Sequence, residues 1–129
     1  MTVQPAANPS ATCDVLIVED NAFLCDMMAS YLTRQGLSVR TASGASIALG
    51  LLEKVTPRVA VLDYHLPGKD GVQLAQAFRE LALDLPIIMM SADMGGPEQE
   101  TLKRLGVRLF VHKPVPLAPL HQAIVRLLR

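Results

Sequence analysis

Five short apolar runs, each followed by a stretch with helical periodicity, constrain this chain more than any other feature. Val15 to Val18, Leu37 to Arg40, Val59 to Leu62, Ile87 to Met90 and Val107 to Val111 have the length and composition of strands. Strict alternation of such runs with helices implies an α/β fold, a parallel sheet covered by helices on both faces. Leu37 to Arg40 reads L-S-V-R, alternating rather than continuously apolar, and is expected at a sheet edge. A chain of 129 residues that is 50% hydrophobic makes one domain with enough apolar surface for a core. Met1 to Thr12 is polar, Pro-containing and aperiodic, so it reads as a flexible leader or linker, with the folded domain spanning residues 13 to 129.

The helices have recognisable starts and inner faces. Asn21 to Gln35 carries Phe23, Met27 and Tyr31 in one row and Leu24, Met28 and Leu32 in the next, and Gly36 is placed to stop it. Both Met27 and Met28 are expected in the core. Ser43 to Lys54 repeats Ala45, Ala48, Leu49 and Leu52. Asp70 is a plausible N-cap for a helix to about Ala82, with Leu74, Ala77, Phe78 and Leu81 facing inward. A last helix from Leu117 to Leu128 buries Leu117, Leu120, Ile124, Leu127 and Leu128. The fourth, about Pro97 to Leu105, has only Leu102 and Leu105 as anchors, and the Gly95-Gly96 pair before it reads as a hinge. It is expected to be the least stable helix.

Charge excludes some functions. Twelve basic and twelve acidic residues cancel, which argues against direct nucleic-acid binding or membrane-surface binding. The distribution is uneven: from Thr101 to Arg129 there are six Lys or Arg and no acid, leaving net minus six in the first hundred residues. Scattered charges that solvate helices are one reading, and two ends facing different partners are the other. Cys13 and Cys25 are too few and too far apart for a redox or zinc motif, and there is no signal-peptide pattern or apolar run of membrane-spanning length. A reducing cytoplasm fits that usage.

In a parallel sheet of this kind, ligands bind beyond the carboxyl ends of the strands. The first strand ends in Glu19-Asp20, the third in Asp63, the fourth in Ser91-Ala92, and the fifth runs into His112-Lys113-Pro114. Three carboxylates meeting on one partly dry rim repel one another unless a cation lies among them. Oxygen donors without His or Cys nitrogen or sulfur favour a hard metal, and Mg²⁺ takes one or two carboxylates while keeping waters. A lysine and a hydroxyl opposite that cation make sense if phosphate oxygens also enter the site. The combination reads as phosphoryl chemistry.

The residues V-L-I-V-E-D-N at Val15 to Asn21, V-L-D-Y-H-L-P-G-K-D-G at Val61 to Gly71, M-S-A at Met90 to Ala92 and H-K-P at His112 to Pro114 occur in this order, each at a strand end. In them the chain resembles the receiver domains of two-component response regulators, over essentially all of residues 13 to 129. The resemblance implies a flavodoxin-like doubly wound fold, with five parallel strands in the order 2-1-3-4-5 and five helices. It implies that Asp63 accepts a phosphoryl group from a phosphohistidine of a sensor histidine kinase or histidine phosphotransfer protein. It further implies a Mg²⁺ site, also open to Mn²⁺, formed by Asp20, Glu19, Asp63 and the backbone carbonyl of His65. Lys113 would pair with the phosphoryl oxygens, with a cis Lys113-Pro114 bond. Ser91 would move onto the phosphoryl group, and Phe110 would occupy the aromatic switch position, reporting by rotation alone because it lacks a hydroxyl.

By the same resemblance, His65 and Asp93 lie where residues tune the lifetime of the phosphoaspartate. Output would pass through the fourth helix, fifth strand and fifth helix to a downstream protein, to an output domain of the same chain or to a second copy in a homodimer. One departure is that Gly106 is followed by Val107 where a small residue is common, and Arg108 breaks the apolar run. His112 and His121 read as surface residues rather than ligands, and Gly95-Gly96-Pro97 lacks the Gly-Lys-Ser/Thr of a P-loop. A Mg²⁺-dependent phosphohydrolase is the competing class. It would need a second acid or base beside the nucleophile and a cap insertion, whereas Tyr64-His65 follow Asp63 and no insertion occurs. A receiver that signals without phosphorylation is a further alternative.

Overall fold

The computed structural model describes residues 11–81, 83–92 and 97–129. Most of the leader, Asp93 and the Gly95-Gly96 pair lie outside the described residues. The elements follow in strict alternation: β1 (Ala11–Val18), α1 (Ala22–Arg34), β2 (Val39–Ala42), α2 (Ala45–Leu51), β3 (Val55–Asp63), α3 (Gly71–Glu80), β4 (Ile87–Ser91), α4 (Gln99–Arg104), β5 (Val107–His112) and α5 (Leu117–Leu128). The strands form one parallel sheet in the order β2-β1-β3-β4-β5, as expected. The edge position of β2 also agrees, although the strand starts two residues later than its alternating pattern indicated. β1 and β3 start earlier, because Ala11 pairs with Val55 and Thr12 with Thr56. Ala11 and Thr12, expected in the leader, are therefore strand.

Alternate residues of the central strands supply the two sides of the core. Leu16, Val18, Ala60, Leu62, Ile87 and Met89 pack with Leu74 and Phe78 of α3, Ala45 and Ala48 of α2, and Leu102 of α4. Val15, Ile17, Val59, Val61, Ile88 and Met90 pack with Met28 and Leu32 of α1 and Leu120 and Ile124 of α5. Both faces of β1, β3 and β4 are covered, which is why their runs are continuously apolar.

The helix boundaries follow their caps. The Asn21 side chain accepts from the Leu24 N–H at 3.0 Å to start α1, and Gly36, at φ 94°, lies just past its end. Asp70 and Gln73 form a reciprocal capping box at α3. Two expected core rows need correction. Phe23 is 75% exposed and Met27 40% exposed, so the first row on α1 reaches the core only through half-buried Tyr31, while Leu24, Met28 and Leu32 turn inward together with Cys25. Leu81 is exposed as well, because α3 ends at Glu80 and Leu81 is its C-cap; Ala75 takes the inner position instead.

The interruption at Arg108 has a geometric cause. Ile87 pairs with Val107, but Ile88 pairs with Leu109, so β5 holds one extra residue and bulges at Arg108. Val107 remains buried while Arg108 is turned out. At the opposite end of the sheet from Asp63, Arg58 donates to the Leu128 carbonyl at 2.6 Å and pairs with Asp14 at 3.4 Å. Asp14 in turn accepts from the Ser38 N–H at 2.9 Å, which ties the end of α5 to β3, β1 and the approach to β2.

Candidate functional site

The strand order makes β1 and β3 neighbours whose onward connections leave to opposite faces, and the rim at that divergence holds the polar residues. β1 runs into Glu19 and Asp20, and β3 ends on Asp63. Their carboxylates offer oxygens within 4.8 Å of one another. Glu19 and Asp63 are almost fully buried, at 2% and 3% exposure, whereas Asp20 is exposed. Ser91, fully buried, follows Met90, the register partner of Asp63.

Lys113, just beyond β5, reaches across this rim. Its ammonium donates to Asp63 Oδ2 at 3.0 Å and lies 2.7 Å from Glu19 Oε1, an ion pair that has no hydrogen-bond geometry at the Glu19 oxygen. Its backbone N–H donates to the Ser91 carbonyl at 2.8 Å, which seats the residue against β4. The Lys113-Pro114 bond is cis, as expected. Asp63 Oδ1 accepts from the His65 N–H at 3.1 Å, and Glu19 Oε2 accepts from the Asn21 N–H at 3.0 Å. The first turn after each strand thus holds the carboxylate at its end.

Burial pushes the Glu19 carboxyl above its ordinary range; the Lys113 ammonium and the Asn21 N–H pull it down, and the Asp63 charge adds to the rise. For Lys113, burial alone would lower the ammonium, but its close contacts with the Glu19 and Asp63 carboxylates and their charge outweigh it and the net shift is upward. A single half-buried cation thus serves two buried carboxylates, with Asp20 beside them. This all-oxygen donor set fits a hard divalent ion such as Mg²⁺, whose charge the excess of carboxylate would offset.

Backbone packing fixes the position of Asp63. The Tyr64 N–H donates to the Met90 carbonyl at 2.7 Å, and the Tyr64 carbonyl accepts from the Gly71 N–H at 2.8 Å. A Cβ on Gly71 would lie 2.6 Å from the Asp63 carbonyl oxygen and 2.9 Å from Tyr64 Cα, so only glycine lets α3 start this close.

The structure brings Glu19, Asp20, Asp63 and Lys113 together, with Ser91 and His65 adjoining. Phe110 is half-buried on β5, packed on the α2–α4 side of the core with its ring 5.6 Å from that of His112. It is a strand residue away from the carboxylates rather than part of their cluster. Asp93 lies outside the described residues. Sequence reasoning missed Arg79, whose guanidinium reaches the α4–β5 turn, and nothing in its spacing on α3 signals that contact.

Residues 15–125 match the family described as response regulator receiver domain. Among relatives, the sensor histidine kinase RcsC of Salmonella typhi is 28% identical over 123 residues, 95% of this chain, and the chain spans only 13% of that kinase's length. The receiver domain of NtrX from Brucella abortus is 32% identical with a TM-score of 0.76, covering 89% of this chain and 98% of that one. A CheY-like receiver protein from Methanospirillum hungatei superposes with a TM-score of 0.83 at 24% identity, covering 92% and 94% of the two chains, a likeness of fold. With the family matched over nearly its whole folded length, the chain belongs to the response regulator receiver domains, phosphorylation-dependent switches of two-component signalling rather than classical enzymes.

Proposed function

We propose that Asp63 is the phosphoacceptor, taking a phosphoryl group from a phosphohistidine on a sensor histidine kinase or a histidine phosphotransfer protein. The supporting observation is the position of its carboxylate, at a strand end between the Lys113 ammonium and the His65 N–H, with Glu19 and Asp20 alongside. A carboxylate oxygen of Asp63 forms the new bond to phosphorus as the phosphorus–nitrogen bond to the donor imidazole breaks. Water later cleaves the acyl phosphate to return the carboxylate and inorganic phosphate.

Glu19, Asp20, Asp63 and the His65 carbonyl would hold Mg²⁺, or Mn²⁺ in its place. The ion supplies positive charge against the roughly −1.5 to −2 charges that phosphorylation adds. Lys113, already on Asp63 Oδ2, is within reach of an oxygen attached there. Ser91 would shift toward the phosphoryl group, and Phe110 would repack in response. His65 and Asp93 would tune the lifetime of the acyl phosphate.

The output face would be α4, β5 and α5. Lys103, Arg104, Arg108, Arg126 and Arg129 are exposed there and no acid lies between Thr101 and Arg129, so an acidic partner surface or a second copy of the chain fits it. Where the receiver is one part of a longer protein, the same face would meet an output domain in the chain. No described helix is long and apolar enough to cross a membrane, and a cytoplasmic supply of Mg²⁺ and phosphohistidine suits the reading.

Incubation with acetyl phosphate and Mg²⁺ followed by intact mass tests the proposal. One added phosphoryl group that is absent in Asp63→Asn supports it. Absence of labelling in the wild-type chain favours signalling without phosphorylation, and continued turnover of a phosphoester favours a phosphohydrolase.

A further inference from the structure

Arg79, near the end of α3, joins two separate loops. Its Nε donates to the Leu105 carbonyl at 3.0 Å, and its Nη1 donates to the Leu83 carbonyl and to Asp84 Oδ1, each at 3.1 Å. Leu105 is the C-cap of α4, so the guanidinium satisfies a carbonyl that the helix itself leaves without a partner. The pairing with Asp84 adds little, because that carboxylate is 98% exposed.

The next residue, Gly106, has φ 84°, and a Cβ there would run into Arg79 Nη2 and lie 2.9 Å from Cζ. The backbone conformation disfavours a side chain at 106, and the arginine would have to move to admit one. The Gly106 carbonyl accepts from the Ile87 N–H at 3.0 Å, which fastens the same turn to β4.

The other end of α4 is built differently. Glu98 makes no side-chain capping bond, residues 98–100 are exposed, and both buried anchors, Leu102 and Leu105, belong to the later part of the helix. α4 is therefore held at its C-terminal end and loosely held at its start.

We propose that Arg79 is a positioning residue of the switch: it fixes the α4–β5 turn, so that α4 swings about its C-terminal end rather than shifting as a whole. The phosphoacceptor reading of Asp63 supplies the trigger for that swing; the fixed pivot is already present in the unphosphorylated chain. The motion would open or close the start of α4, next to the rim, while Leu105, Gly106 and the first residues of β5 stay in place.

Amide hydrogen exchange by NMR tests this on four chains: wild type, Arg79→Met, Arg79→Lys and Ile124→Val, the last a destabilised control on the far side of the sheet. In the unphosphorylated state, Arg79→Met should speed exchange at Leu105 and Gly106 about tenfold beyond the control, the effect of losing one net hydrogen bond. Arg79→Lys should recover part of the protection. After acetyl phosphate and Mg²⁺, wild-type amide shifts should change at Gln99 to Leu102 and hold at Leu105 and Gly106, and in Arg79→Met the changes should spread to both. Exchange in Arg79→Met no faster than in the control, or wild-type shifts at Leu105 and Gly106 as large as at Leu102, would overturn the pivot. Failure of phosphorylation by intact mass would reject the Asp63 reading, and the unphosphorylated exchange comparison would still decide on Arg79.

Discussion

Lys113 donates to Asp63 Oδ2 at 3.0 Å across a separation of 50 residues. The same ammonium stands 2.7 Å from Glu19 Oε1, so the site in this state is a half-buried lysine shared by two buried carboxylates. Removing it leaves like charges facing each other without compensation. Lys113→Met should lower stability by about 2–3 kcal/mol in metal-free buffer, less than the full cost of an orphaned ion because Glu19 can take up a proton. Urea midpoints measured with EDTA check this, and a loss below 0.5 kcal/mol, the size of an ordinary surface change, would contradict it.

Mg²⁺ should stabilise the wild-type chain through Glu19, Asp20 and Asp63. At tenfold the dissociation constant the gain is about 1.4 kcal/mol, from binding to the folded state alone. A thermal scan with and without EDTA reads it, and Asp20→Asn should abolish most of the shift. An equal shift in that variant would place the ion elsewhere.

Two glycines that both sit on or beside helices should respond oppositely to alanine. Gly71→Ala forces a Cβ against the Asp63 carbonyl oxygen and should cost about 1–3 kcal/mol while slowing labelling by acetyl phosphate. Gly50, inside α2, has nothing within 4 Å of a built Cβ, and Gly50→Ala should gain about 0.5–1 kcal/mol with labelling unchanged. Paired denaturation and labelling measurements separate the two.

Burial pushes the Cys13 and Cys25 thiols above their ordinary value of 9.0. A folded-state value raised above the unfolded one means the unfolded chain loses these protons first, so their contribution is intact below pH 9 and declines as pH rises through the folded values. The urea midpoint should therefore fall as pH rises above 9, and the native thiols should react with a thiol reagent only as fast as the chain opens. Rapid labelling of both at pH 8 without unfolding would contradict the burial.

Much of the site was legible because each of its residues ends a strand. Glu19, Asp20 and Asp63 follow continuous apolar runs and Lys113 follows a broken one, and a parallel sheet brings all such ends to one rim irrespective of loop detail. Alternation implied a parallel sheet, and the family resemblance implied its strand order. What was hidden depends on rotation about a helix axis or on a one-residue offset. Phe23 and Leu24 stand in adjacent rows of α1, and periodicity alone cannot tell which row the sheet covers; the structure turns Phe23 and Met27 out and keeps Tyr31 against the core. Arg108 looked like an interruption of a strand and is the extra residue of a bulge, a register property with no local mark. Arg79 reads as a solvated helix residue until the α4–β5 turn, 26 residues on, is seen to close over it.

The pairing of Ala11 with Val55 has a practical consequence for anyone building on this domain. Val55 and Asp63 are the two ends of one strand, so about 26 Å of sheet lies between Asp63 and the point where residue 11 enters. The Arg58 contact with the Leu128 carbonyl holds the end of α5 at that same far edge. A fluorophore, surface tether or fusion partner joined directly at residue 11 or after Arg129 therefore meets the fold on the edge away from the acidic rim, which leaves the opposite edge open to a phosphodonor.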